Sequence, residues 1–214
     1  MDVNNENKLL STLGKLTDSL ILNLLFLVSC IPVITIGISA TAFYYTTHKV
    51  LRQDRSYLWA EYKRAWKENF KQSTICWLIF LGIEAVLGAD VYVMLRLFQA
   101  GHSYGSAYVF FAILLALAVL WMVYAFAYIA RFANGTKEVL KNSFIMMILH
   151  FPKTLVLLLI LAAAAFAVWS IPLLIVLVPV LAVWLIEVLF ESIFVKYMSE
   201  EDKKAEQERN GKIY

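Results

Sequence analysis

The stretch Thr154–Ile186, TLVLLLILAAAAFAVWSIPLLIVLVPVLAVWLI, runs 33 residues without Asp, Glu, Lys or Arg. A helix crossing a bilayer needs about 20 predominantly apolar residues. As one helix the stretch would reach about 50 Å, well past a hydrocarbon core of about 30 Å. It therefore reads as two spans with a break at Ser170-Ile171-Pro172, since proline starts a helix more readily than it continues one. Pro179 is expected to kink the second of these helices.

Two further uncharged runs lie upstream, Ser19–His48 with 30 residues and Leu97–Ala130 with 34. The whole chain is 61% apolar and 16% charged, where soluble domains carry about a quarter charged residues. A soluble fold of 214 residues cannot hide that much apolar surface, and a bilayer removes the need. The expected fold is all-α, a polytopic transmembrane bundle. Five spans fit best: Leu20–Thr46, Thr74–Leu97, Ser106–Ala130, Lys153–Ser170 and Pro172–Val195. Segments 47–73 and 131–152 are then amphipathic linkers, and 196–214 is a charged tail. The polar first 18 residues and the long run that follows do not match a cleavable leader.

The cations are sorted. Thr47–Ser73 carries seven Lys and Arg, Arg131–Lys153 four and the tail five, so 16 of 19 share one face. The positive-inside rule places that face in the cytoplasm. Five spans would leave the C-terminus inside and the N-terminus outside. The first segment contains Pro32 and Gly37. It reads as one kinked span, with a re-entrant hairpin and a cytoplasmic N-terminus as the alternative.

In the first linker Trp59, Tyr62, Trp66 and Phe70 recur at helical spacing, with Lys63 and Lys67 beside them. An aromatic face with a basic rim suits a helix lying in the membrane interface, or one docked on a partner protein. Nucleic acid is a poor match for it. In the second linker Thr136 is expected to cap a helix from Lys137, with Phe144, Met147, Ile148 and Phe151 as an apolar stripe. A weak internal repeat aligns 69–73 with 150–154 and 42–45 with 125–128.

Ionisable residues inside a membrane are the natural functional suspects. Glu84 should lie near the bilayer midplane, Asp90 on another face of the same helix, and Glu187 and Glu191 one turn apart on the last. The structural reading pairs those last two with Arg131, Lys153 or Lys49. A stripe including Thr35 and Ser39 either packs helices closely or lines a cavity at a broken helix. Phosphate loops, G-x-S-x-G and H-E-x-x-H are absent from the sequence, and His48, His102 and His150 are scattered. Cys30 and Cys76 have no zinc spacing and are not expected to form a disulfide. No enzymatic activity, cofactor or metal is expected.

The stretches Leu22-Asn23-Leu24-Leu25-Phe26, Ile31-Pro32-Val33-Ile34-Thr35-Ile36-Gly37 and Ser39-Ala40-Thr41-Ala42-Phe43-Tyr44-Tyr45, followed by Trp66-Lys67-Glu68-Asn69-Phe70-Lys71-Gln72-Ser73, resemble the YesL family of bacterial membrane proteins. The resemblance implies a cytoplasmic-membrane protein encoded near sugar ABC importers and glycan-degrading enzymes. It implies an accessory role in carbohydrate uptake, with permease subunits as partners beside the lipid bilayer. It supplies no binding residues. The alternative is a small-solute permease or channel using Glu84 and the broken first helix.

Overall fold

The computed structural model describes residues 3–52 and 57–198, with side chains described from Gly14 onward. Most of the charged tail, 199–214, lies outside the described residues. The described chain is all-α. Its helices are α1 (Val3–Ser29), α2 (Ile36–Thr46), α3 (Leu58–Gln99), α4 (Tyr108–Arg131), α5 (Thr136–Leu149), α6 (Phe151–Ser170) and α7 (Val178–Phe194). Short 3₁₀ turns cover Val33–Thr35, Ser103–Ala107 and Pro172–Val176, and a π-helix covers Thr47–Arg52.

Among the described residues three segments, rather than the expected five, are long and apolar enough to cross a membrane: α3, Ser103–Arg131 and α6. They contain the expected spans Thr74–Leu97, Ser106–Ala130 and Lys153–Ser170. The outward faces carry large apolar side chains, with Phe166 72% and Trp169 85% exposed. Surfaces of that kind belong against lipid.

The first expected span is not one kinked helix. Carbonyls freed at Pro32 end α1 at Ser29, and the chain folds back. Phe26 stacks on Phe43 with ring centroids 4.5 Å apart, where an unbroken helix would separate them by about 25 Å. Hydroxyls satisfy the exposed backbone of the bend. Thr35 Oγ1 donates to the carbonyls of Ser29 and Pro32 at 2.6 and 2.7 Å. Ser39 Oγ donates to Ser29 and Thr35 at 3.0 and 2.7 Å.

The last expected span also changes. Pro172 opens a 3₁₀ turn, and α7 begins only at Val178, so Pro179 starts that helix instead of kinking it. This leaves α7 with 17 residues, about 26 Å. Asn23, fully buried, donates to the carbonyls of Ile175 and Val176 at 3.0 and 2.7 Å. It thereby ties α1 to the turn before α7.

The expected linker helix and the second span are one helix of 42 residues, about 63 Å long. Its first four turns therefore continue the axis of the span instead of forming a separate interfacial helix. Gly37 lets α2 approach α3: a Cβ there would meet Trp77 Cβ at 2.6 Å and the Ser73 carbonyl at 2.9 Å. At the far end of α3, Gly101 takes φ +87°. Its N–H reaches the Phe98 carbonyl at 3.0 Å, and the His102 N–H reaches Leu97 at 3.1 Å, a Schellman closure. Helix α5 starts one residue before the expected position, at Thr136, where Glu138 accepts from the Gly135 N–H at 3.2 Å. The aligned segments 69–73 and 150–154 differ: the first lies inside α3, whereas the chain breaks at His150 between α5 and α6.

Candidate functional site: a buried ion network at a π-helix

A π-helix widens the backbone and occurs frequently at functional sites. Here it presents His48 and Arg52 to α7 and Lys49 to α3. His48 Nδ1 lies 2.7 Å from Glu187 Oε1 and 3.6 Å from Glu191 Oε1. Arg52 Nη1 pairs with Glu187 Oε2. From the end of α4, Arg131 pairs with Glu191, its Nη2 donating to Oε2 at 3.0 Å and its Nε lying 2.8 Å from Oε1. The Tyr44 hydroxyl adds a bond to Glu191 Oε1 at 3.4 Å. The Glu187 side chain is 1% exposed. On the other side of the π-helix, Lys49 Nζ lies 2.7 Å from Glu61 Oε2, with the Tyr45 hydroxyl 3.4 Å from the same oxygen.

His48, Glu187 and Glu191 place three potential metal-donor atoms within 4.8 Å of one another. The chemistry of the full set argues against a metal centre. Two carboxylates already face two guanidinium groups, so a divalent ion would add two unbalanced positive charges to a buried site. The arrangement is an ion network that joins α2, α4 and α7.

Of the partners considered from sequence for Glu187 and Glu191, Arg131 takes Glu191. Lys49 goes to Glu61, and Lys153 donates to Ser192 Oγ at 2.6 Å. Sequence reasoning missed His48 and Arg52 as partners of Glu187. Their signal was the spacing Tyr44, His48, Arg52, four residues apart on one helical face.

The other candidates lie elsewhere. Glu84 is half-buried in α3, and its Oε1 has no hydrogen-bond partner. Asp90 is half-buried and outside the network. Thr35 and Ser39 are engaged at the α1–α2 bend. Along the start of α3 the aromatic face divides. Tyr62 turns inward, its hydroxyl 2.5 Å from Ser29 Oγ. Burial raises its pKa to about 12, against the lowering effect of the Ser29 and Ser39 hydrogen bonds, so it stays a neutral phenol. Trp59, 61% exposed, faces out with Lys63, Lys67 and Phe70. Trp66 is half-buried, its ring 4.9 Å from that of Phe70.

Residues 20–91 match a family model described as "Protein of unknown function, DUF624". That similarity to DUF624 covers about a third of the chain. The DUF624 match takes in the α1–α2 bend, the π-helix and most of α3. It therefore includes His48, Lys49, Arg52 and Glu61, while Arg131, Glu187 and Glu191 lie beyond it. No curated protein and no solved structure matches the chain.

Proposed function

We propose that this protein is a non-enzymatic membrane subunit accessory to a bacterial sugar ABC importer, docking through the start of α3. The observation that carries the docking is the uncovered face of Trp59, Lys63, Lys67 and Phe70 on a helix that continues beyond its spanning part. Aromatic and cationic side chains of this kind are common anchors in protein interfaces. The link to sugar import rests on the YesL resemblance. The face is cytoplasmic by its charge. The fold-back of the first segment supports a cytoplasmic N-terminus, because a hairpin returns the chain to the side it left.

The permease reading has less support. The hydroxyls of the broken first helix are bonded to carbonyls, and three cavities among the described residues have almost wholly apolar walls that do not include Glu84.

Co-purification in mild detergent with the neighbouring permease subunits tests the proposal. A stable complex that is lost in Trp59→Ala/Lys63→Glu supports it. Recovery of the protein alone, with sugar uptake unchanged on deletion of its gene, contradicts it.

A further inference from the structure

A cavity of 460 Å³ lies between α1, α2, α4, α6 and α7. Phe26, Ala40, Met122, Phe126, Ala164 and Ala182 are among its walls. An apolar cavity of about 150 Å³ stays dry and accepts apolar guests, and ligand sites span about 300–1,000 Å³. This cavity is thus large enough for a ligand and carries almost nothing that would hold water.

A second, shallower groove of 400 Å³ runs along α6 and α7. Leu159 and Leu181 on its walls are 68% and 59% exposed, so it faces hydrocarbon. The groove and the inner cavity share Ala164, Val178 and Ala182. These shared residues lie between the inner cavity and the lipid-facing groove along the α6–α7 seam. Tyr44 also lines the cavity, and its hydroxyl bonds Glu191 of the ion network.

We propose that the inner cavity is a binding site for one acyl chain of a membrane phospholipid, admitted sideways between α6 and α7. The continuity with a lipid-facing groove identifies the occupant: the substance at the mouth is bilayer hydrocarbon. The apolar walls suit a chain and offer no contact to a sugar or an ion.

The test uses the full chain in vesicles of phosphatidylethanolamine and phosphatidylglycerol, doped with a phosphatidylglycerol that carries a diazirine near the end of one acyl chain. After illumination, adducts are mapped by mass spectrometry. Adducts on Met122 and Ala40 are expected, together with outer adducts on Leu159. Ala164→Trp, which fills the seam, should abolish the inner adducts and keep the outer ones; Leu159→Trp should keep the inner ones. If Ala164→Trp does not fold, Ala40→Phe fills the cavity from the opposite wall and carries the same expectation. Adducts confined to Leu159 and Leu181 in the wild-type protein, or inner adducts unchanged in both filling variants, would overturn the proposal.

Discussion

His48 Nδ1 and Glu187 Oε1, 139 residues apart in the chain, lie 2.7 Å from each other. This contact joins the π-helix after the folded-back first segment to the last helix, with Arg52 on the second oxygen of the same carboxylate. Removing the buried carboxylate leaves the His48 ring nitrogen without its partner, at about 1–3 kcal/mol. Glu187→Ala should therefore lower thermal stability in detergent by that order. The His48→Ala/Glu187→Ala cycle should show coupling of about 1–3 kcal/mol. Additive losses would mean that the contact does not hold the helices together.

Gly37→Ala tests the approach of α2 to α3. The new Cβ would lie 2.6 Å from Trp77 Cβ, and overpacking of this kind costs about 1–3 kcal/mol. Gly82 and Gly88, on the same long helix, have nothing within 4 Å of an added Cβ. Alanine there should be neutral or stabilising, as melting curves of the three variants would show.

Asn23→Leu removes the donor that serves the Ile175 and Val176 carbonyls. Leaving buried acceptors unpaired costs about 1–3 kcal/mol. Hydrogen exchange should quicken at the turn 172–176 and remain unchanged at the α3–α4 turn. Equal effects at both places would contradict the local role.

Burial, with Lys153 and Lys196 nearby, lowers the pKa of His150 from its ordinary value. Folding thus favours the neutral ring, 3.1 Å from the Tyr197 hydroxyl. The sign follows from that depression. The contribution is present above the unfolded value of about 6.5 and is lost as pH falls through the folded pKa. Stability measured from pH 7.5 downward should decline in the wild type, and His150→Asn should remove part of that decline. A steeper decline in the variant would contradict the assignment.

Glu84→Leu removes a buried oxygen that has no hydrogen-bond partner. It should stabilise the protein by about 1–3 kcal/mol and leave partner binding intact. Loss of a solute flux in Glu84→Gln proteoliposomes would favour the permease reading.

The helices were legible wherever apolar runs meet a breaker: α4 and α6 lie close to the expected spans because Arg131, Lys153 and Pro172 punctuate the sequence. The fold-back at Pro32 was legible only as an alternative. A proline marks a break but does not say where the next helix goes. The unity of α3 was hidden because hydropathy changes at Ser73, whereas helix continuity depends on breakers, and no proline lies between Leu58 and Gln99. In the ion network the carboxylates stood out as charges in an apolar helix. His48 and Arg52 did not, because their spacing with Tyr44 marks a shared face but not a partner 139 residues away.

The central functional claim is that a partner covers the start of α3. A photo-crosslinking residue placed at Trp59 or Lys67 in intact cells, with Ile79 on the spanning part of the same helix as control, tests it most directly. The account predicts a discrete adduct with an importer permease subunit from Trp59 and Lys67 and none from Ile79. Adducts from all three positions with lipid alone would contradict it.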